Sequence, residues 1–415
     1  MFAIKKNKNK ILQYLIAILL FDVIVVVIFE NIFENIFASI PYYRLAIIAF
    51  TFLFFLPELL FGKIKLNFKR ISNEGLFVFL WGGFSVIELI FGIVKGNPKV
   101  YIIADFVYIL FGGYLYLIIG NKMKINSLTS QNLESFTAWF LILIYLLLFF
   151  SFTISEVFFI VLLSLSYLFL IQKKYKLLLV ALIPFFIQIT NSNRALLICF
   201  LTLVLLFGTY KLSLYLKKQD RLLLITFLLL FIVFFYEEIL TILFGFIPKN
   251  TQLYYRFQQL LEIINLGVDF NNPYHISIAQ RLVEAKLVLQ LWLSDFWSFI
   301  FGSGLGGVID GALFIDPSVT KTALLGSKSV HNIHLLPFAL IHKYGLLGLI
   351  IFGMLLVEFY NSINYIIKKA TNTVFVFWNL VFVLLFIYSL PAASFLWTTP
   401  FFWIALVMKK RTRYE

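Results

Sequence analysis

The sequence predicts an all-α polytopic membrane protein with about twelve transmembrane helices and one large, partly helical extracytoplasmic loop. Three observations carry this. Of the 415 residues, 62% are hydrophobic and 13% are charged, against about 45–50% and 25% in a soluble domain. Apolar runs near the roughly 20 residues needed to cross a bilayer recur along the chain. Most of the 34 Lys and Arg fall in seven short segments: before residue 11, at 63–70, 122–124, 173–176, 211–221 and 368–369, and after 408.

The N-terminus opens with Lys5, Lys6, Lys8 and Lys10. The apolar run behind them is long and has no small-residue cleavage site after it, so it is expected to stay as a first helix. Spans are expected near 11–30, 45–62, 75–94, 100–120, 135–152, 155–172, 177–191, 195–215, 222–245, 334–358, 373–390 and 393–408. Every second connection is one of the basic segments, which places both termini and those segments in the cytoplasm. Residues 1–245 then carry helices one to nine, 246–333 form the extracytoplasmic loop, and 334–415 carry helices ten to twelve. The net charge of +14 is thereby a topology signal and not a nucleic-acid surface. The 51 Phe are expected at lipid-facing positions. Cys199 is the sole cysteine, so packing and not a disulfide holds the loop. Pro57, Pro184 and Pro337 sit where they can kink spans. Asp22, Glu88 and Asp105 fall at or within spans, where an acid is expensive; none has an obvious partner in sequence.

The loop is where chemistry concentrates. Leu253, Tyr254, Phe257, Leu260, Leu261 and Ile264 form one apolar stripe at helical spacing. Ser277 to Gln280 reads as a capping box opening a helix that runs to Ile300 along the outer membrane surface, where its Trp residues favour the interface, and that Gly302 stops. Phe301-Gly-Ser-Gly-Leu-Gly-Gly307 is not a dinucleotide fingerprint, because no strand precedes it and it ends a helix. It predicts a tight turn of closely approaching backbone, with Gly302 and Gly304 as supporting positions. Arg194 stands at the outer start of a span, and Arg256 and Arg281 lie on outer amphipathic helices. Singly, each fits an interfacial charge; together they can converge on one anion, and guanidinium forks suit a diphosphate. His331 and His334, with Asn332 between them, are expected on one face at the start of the tenth span. A neutral imidazole there suits a general base. As a metal site the pair is weak, since no carboxylate stands at ligand spacing beside it.

In this order, Asn-Ser-Asn-Arg194-Ala-Leu-Leu, then Arg256, then Ser-Ile-Ala-Gln-Arg281 with a Trp downstream, then Phe-Gly-Ser-Gly-Leu-Gly, then His-Asn before Gly345-Leu-Leu-Gly348, the motifs resemble the O-antigen polymerase and O-antigen ligase superfamily. The resemblance covers about residues 190–350. It implies a GT-C-like membrane glycosyltransferase without metal or other cofactor, in the bacterial cytoplasmic membrane, acting on a glycan carried by undecaprenyl diphosphate in O-antigen or capsular polysaccharide biosynthesis. Its partners would be that donor, membrane lipid and other polysaccharide-assembly proteins, with no nucleic acid. Arg194, Arg256 and Arg281 match the family's diphosphate-holding arginines. His331 has the adjacent Asn332 of the family's catalytic histidine, and His334 has the more usual distance to Gly345; His331 is favoured slightly. A repeat-unit polymerase is the expected activity, with a ligase as the alternative and a lipid-linked sugar flippase as the second.

Overall fold

The computed structural model describes residues 13–21, 40–61, 73–122, 130–150, 154–189, 194–215, scattered positions between 254 and 268, and 275–310, 330–368 and 373–409. Among these residues the architecture is helical, and the only β pairing is the isolated bridge between Ile309 and Val330. The helices are α1 (Ile40–Phe61), α2 (Asn73–Val94), α3 (Lys99–Lys122), α4 (Ser130–Phe149), α5 (Glu156–Ile171), α6 (Tyr175–Ile189) and α7 (Arg194–Tyr215). They continue with α8 (Ile276–Trp292), α9 (Phe296–Phe301), α10 (Leu336–Lys368), α11 (Thr373–Ser389), α12 (Ser394–Thr398) and α13 (Pro400–Met408). Residues 13–21 are also helical. By length and composition, α2, α3, α7 and α10 are long and apolar enough to cross a membrane, and five shorter apolar helices accompany them. The expected span at 222–245, Asp22 and Arg256 lie outside the described residues.

Two of the shorter apolar helices, α5 and α11, make much of the interior. α11 is buried along nearly its whole length and packs on α5, α7, α10 and α13. α5 is buried from Val157 to Phe169. In hydrocarbon there is no hydrophobic force between apolar helices, so close packing must hold them together. Large rigid rings suit that task. Phe55, Phe77, Phe111, Phe140, Phe158, Phe159 and Phe185 are fully buried, so these rings fill the bundle instead of facing lipid as expected. At the chain's far end Lys409 is buried, 2.9 Å from Glu358 of α10 and over the Phe382 ring. It is therefore a packing element and not the solvent-facing topology charge it resembles in sequence.

Three sequence expectations are corrected here. The helix expected over 277–300 is two, α8 and α9, broken at Leu293–Asp295. α8 starts at Ile276, so His275 and not the expected Ser277 stands at the N-cap, and the Gln280 side chain donates to Glu284. The span expected at 334–358 starts at Leu336 and is interrupted at Gly345 (φ 55°, ψ −131°). A half-helix of about nine residues, 336–344, precedes the break; after it about 23 residues run to Lys368, roughly 34 Å at 1.5 Å per residue. The last expected span, 393–408, is likewise divided into α12 and α13, with Pro400 opening the second piece where its missing N–H does no harm.

Candidate functional site

The glycine turn that follows α9 is the hinge on which the site is built. Gly302, Gly304 and Gly306 all have positive φ, a conformation open to glycine at no steric cost. Space demands glycine as well: a Cβ on Gly302 would stand 2.6 Å from the carbonyl oxygens of Ile341 and His342, and one on Gly304 would stand 2.7 Å from the amide of Gly92. The turn is thus pressed between the half-helix of α10 and the C-terminal end of α2. Ser303 N–H donates to His342 O (2.7 Å) and Leu305 N–H to Glu88 O (3.1 Å). The short connection between α2 and α3 staples it from outside. Asn97 donates to the carbonyls of Ser303 (2.8 Å) and Leu305 (2.9 Å), and the Lys95 ammonium donates to Ser298 Oγ and Gly302 O, both at 3.1 Å. Partial burial lowers the pKa of Lys95, opposed by the charges of Asp295 and Glu88. Asp295 caps α9 by accepting from Ser298 N–H at 2.9 Å. That bond first, then the hydroxyls of Ser298 and Ser294, hold its carboxyl down at about 2.

The expectation that His331 and His334 share one helix face is overturned. Residues 331–335 are not helical and α10 begins at Leu336, so the two imidazoles point into different surroundings. His331 is buried. Its Nδ1 donates to Gly307 O at 2.9 Å, its Nε2 stands 3.3 Å from Asp105 Oδ1, and Tyr101 stacks on the ring at 4.3 Å and 8°. Asp105, deep in α3, also accepts from Gly306 N–H at 3.0 Å and pairs with the buried ammonium of Lys343. An imidazole with one nitrogen against a carbonyl and the other against a carboxylate presents neither nitrogen to an incoming hydroxyl.

His334 is more than a third exposed, while the carboxyl it meets, Glu284 of α8, is fully buried. Glu284 accepts from His334 Nδ1 at 2.9 and 3.0 Å, from the His334 backbone N–H at 3.0 Å and from Gln280 Nε2 at 3.1 Å. A carboxylate only accepts, so Nδ1 carries the proton. Nε2 is then left with its lone pair, and it has no hydrogen-bond partner among the described residues. A fixed tautomer, an oriented ring and an accessible basic nitrogen are what a general base requires. Asn332, next to His331, is exposed.

Arg281 lies one turn before Glu284 on α8 and is half-buried. Arg194 opens α7, but its side chain, like all of Arg256, is outside the described residues, and so is any convergence of the three arginines. His342 is buried, with Nδ1 3.3 Å from Ser303 Oγ. Among the described residues no three His, Cys, Asp or Glu are grouped as a metal would need. Comparison with protein-family models, with curated proteins and with solved structures finds no match.

Sequence reasoning missed Glu284, Lys343, Lys95 and Asn97. Glu284 had a signal: it shares a face with Ala285 and Val288, both buried, so the pattern of α8 already put a carboxyl on the inward face. Lys343 had one too, since an acid and a base inside apolar runs invite pairing. Nothing local marks Lys95 or Asn97, whose partners are some 200 residues away.

Proposed function

We propose that the chain is a membrane glycosyltransferase that polymerises oligosaccharide repeat units carried on undecaprenyl diphosphate, at the outer face of the bacterial cytoplasmic membrane. In this reading both termini are cytoplasmic, about twelve helices span the bilayer, and the His334 region faces outward. The observation that carries it is the His334–Glu284 pair, an oriented base at the edge of an apolar helical bundle, with Arg281 one turn away. His334 Nε2 takes the proton of the acceptor sugar hydroxyl as that oxygen bonds to the donor's anomeric carbon. The bond from that carbon to the diphosphate oxygen breaks, and the pair of electrons leaves with undecaprenyl diphosphate. Arg281, with Arg194 and Arg256, supplies the positive charge where negative charge develops. The base is His334 and not His331, because His331 already uses both ring nitrogens.

Deletion of the gene in its own host tests the activity. Surface glycan reduced to single repeat units is the expected result. Loss of all attached glycan would make the chain a ligase, and unchanged polymer would end the proposal.

A further inference from the structure

Asp105 touches neither His334 nor Glu284, yet its carboxylate is the meeting point of three separate stretches of chain. Gly306 of the glycine turn donates to Oδ2 at 3.0 Å. His331, on the approach to α10, and Lys343, at the end of the half-helix, both meet Oδ1. His334 lies between the last two anchors, three residues after His331 and nine before Lys343. Its own backbone is held as well: Ala393 N–H donates to His334 O at 2.8 Å, and the neighbouring Leu336 N–H donates to Leu390 O at 3.0 Å. A base is effective only within about 0.5 Å of its productive position, and residues 331–334 lie before the first helical hydrogen bond of α10, which runs from Ala339 N–H to Leu335 O.

We propose that Asp105 is a positioning residue for His334. It clamps the chain on both sides, through His331 and Lys343, and so sets where His334 stands opposite Glu284, without touching substrate. This rests on the reading of His334 as the base. The competing role is plain neutralisation of Lys343, since a buried ammonium needs a counter-charge. That role would need neither His331 nor Gly306 on the same carboxylate.

The test uses the full-length protein in detergent. The substrate is lipid-linked oligosaccharide extracted from cells lacking this chain, and the histidine probe is diethyl pyrocarbonate read by mass spectrometry. In the wild type His334 should be carbethoxylated at least about tenfold faster than His331, whose nitrogens are both engaged; equal rates would overturn the clamp without any variant. Asp105→Asn/Lys343→Gln removes both charges, so no ammonium is left uncompensated. It should melt close to wild type, keep KM for the lipid-linked donor within about twofold, lose turnover about tenfold or more, and open His331 to the reagent. Wild-type turnover in that protein would overturn the proposal. Should the double variant not fold, Asp105→Glu keeps the charge and displaces the carboxylate by one methylene, with the same turnover loss expected at unchanged KM and the same overturning result. Full turnover in His334→Ala would instead sink the base assignment. Lost turnover in His334→Ala beside full turnover in the double variant would sink the positioning role alone.

Discussion

His331 and His334 stand three residues apart on one non-helical stretch, and their surroundings are opposite. His331 is buried, stacked on Tyr101 and bonded through both nitrogens. His334 is bonded through one nitrogen to a buried carboxyl and opens the other outward. The first imidazole has both nitrogens against protein groups, while the second keeps one nitrogen without a hydrogen-bond partner among the described residues. What separates them is the carboxylate each meets. Asp105 also serves a backbone amide and a lysine, so it anchors; the donors on Glu284, two from His334 and one from Gln280, all orient that one histidine.

Changing Glu284 attacks that contrast most strongly. Glu284→Gln keeps the volume but presents an amide that no longer fixes Nδ1 as the donor. Turnover should fall about tenfold to a hundredfold with KM for the lipid-linked donor little changed, measured on purified enzyme. Wild-type turnover would make His334 no more specially oriented than any surface histidine. Arg281→Lys sharpens the same side. It retains the charge and loses the bidentate fork, so if the His334 side receives a diphosphate, turnover should fall about tenfold and the donor KM should rise. An unchanged KM would leave Arg281 as an interfacial charge. The smallest effect belongs to the support behind His331. The carboxyl of Asp295 is held at about 2, below the ordinary 3.8, so its cap stabilises α9 above the ordinary value and the benefit is lost as pH falls through about 2. Asp295→Ala should therefore melt slightly below wild type in detergent at neutral pH, and the gap should close in strong acid. A gap that is constant at all pH values would mean the carboxylate is not what caps the helix.

Much of the fold was legible because membrane helices announce themselves by composition. The turn at 301–307 was legible because four glycines in seven residues have few other uses. The helix interruptions were not. The break at Gly345 arises where the backbone of the turn at Gly302 presses on the helix, and apolar runs show no periodicity to betray it; the last span divides at Thr399, just before Pro400. Glu284 and His334 are 50 residues apart, so spacing rules for paired groups could not join them. The adjacent Asn332 drew attention to His331, whose two nitrogens turn out to be spent on Gly307 and Asp105. Arg194, Arg256 and Arg281 remain joined only by the order of their motifs.

The most direct test sets the two histidines side by side. Single-turnover transfer should be measured with purified wild-type, His334→Ala and His331→Ala enzymes and the same lipid-linked oligosaccharide. His334→Ala should lose about 10²–10⁴-fold in rate, while His331→Ala, which loosens the clamp but leaves the base, should keep a clearly measurable rate. Near-normal transfer by His334→Ala with none by His331→Ala would contradict the account and move the base to His331.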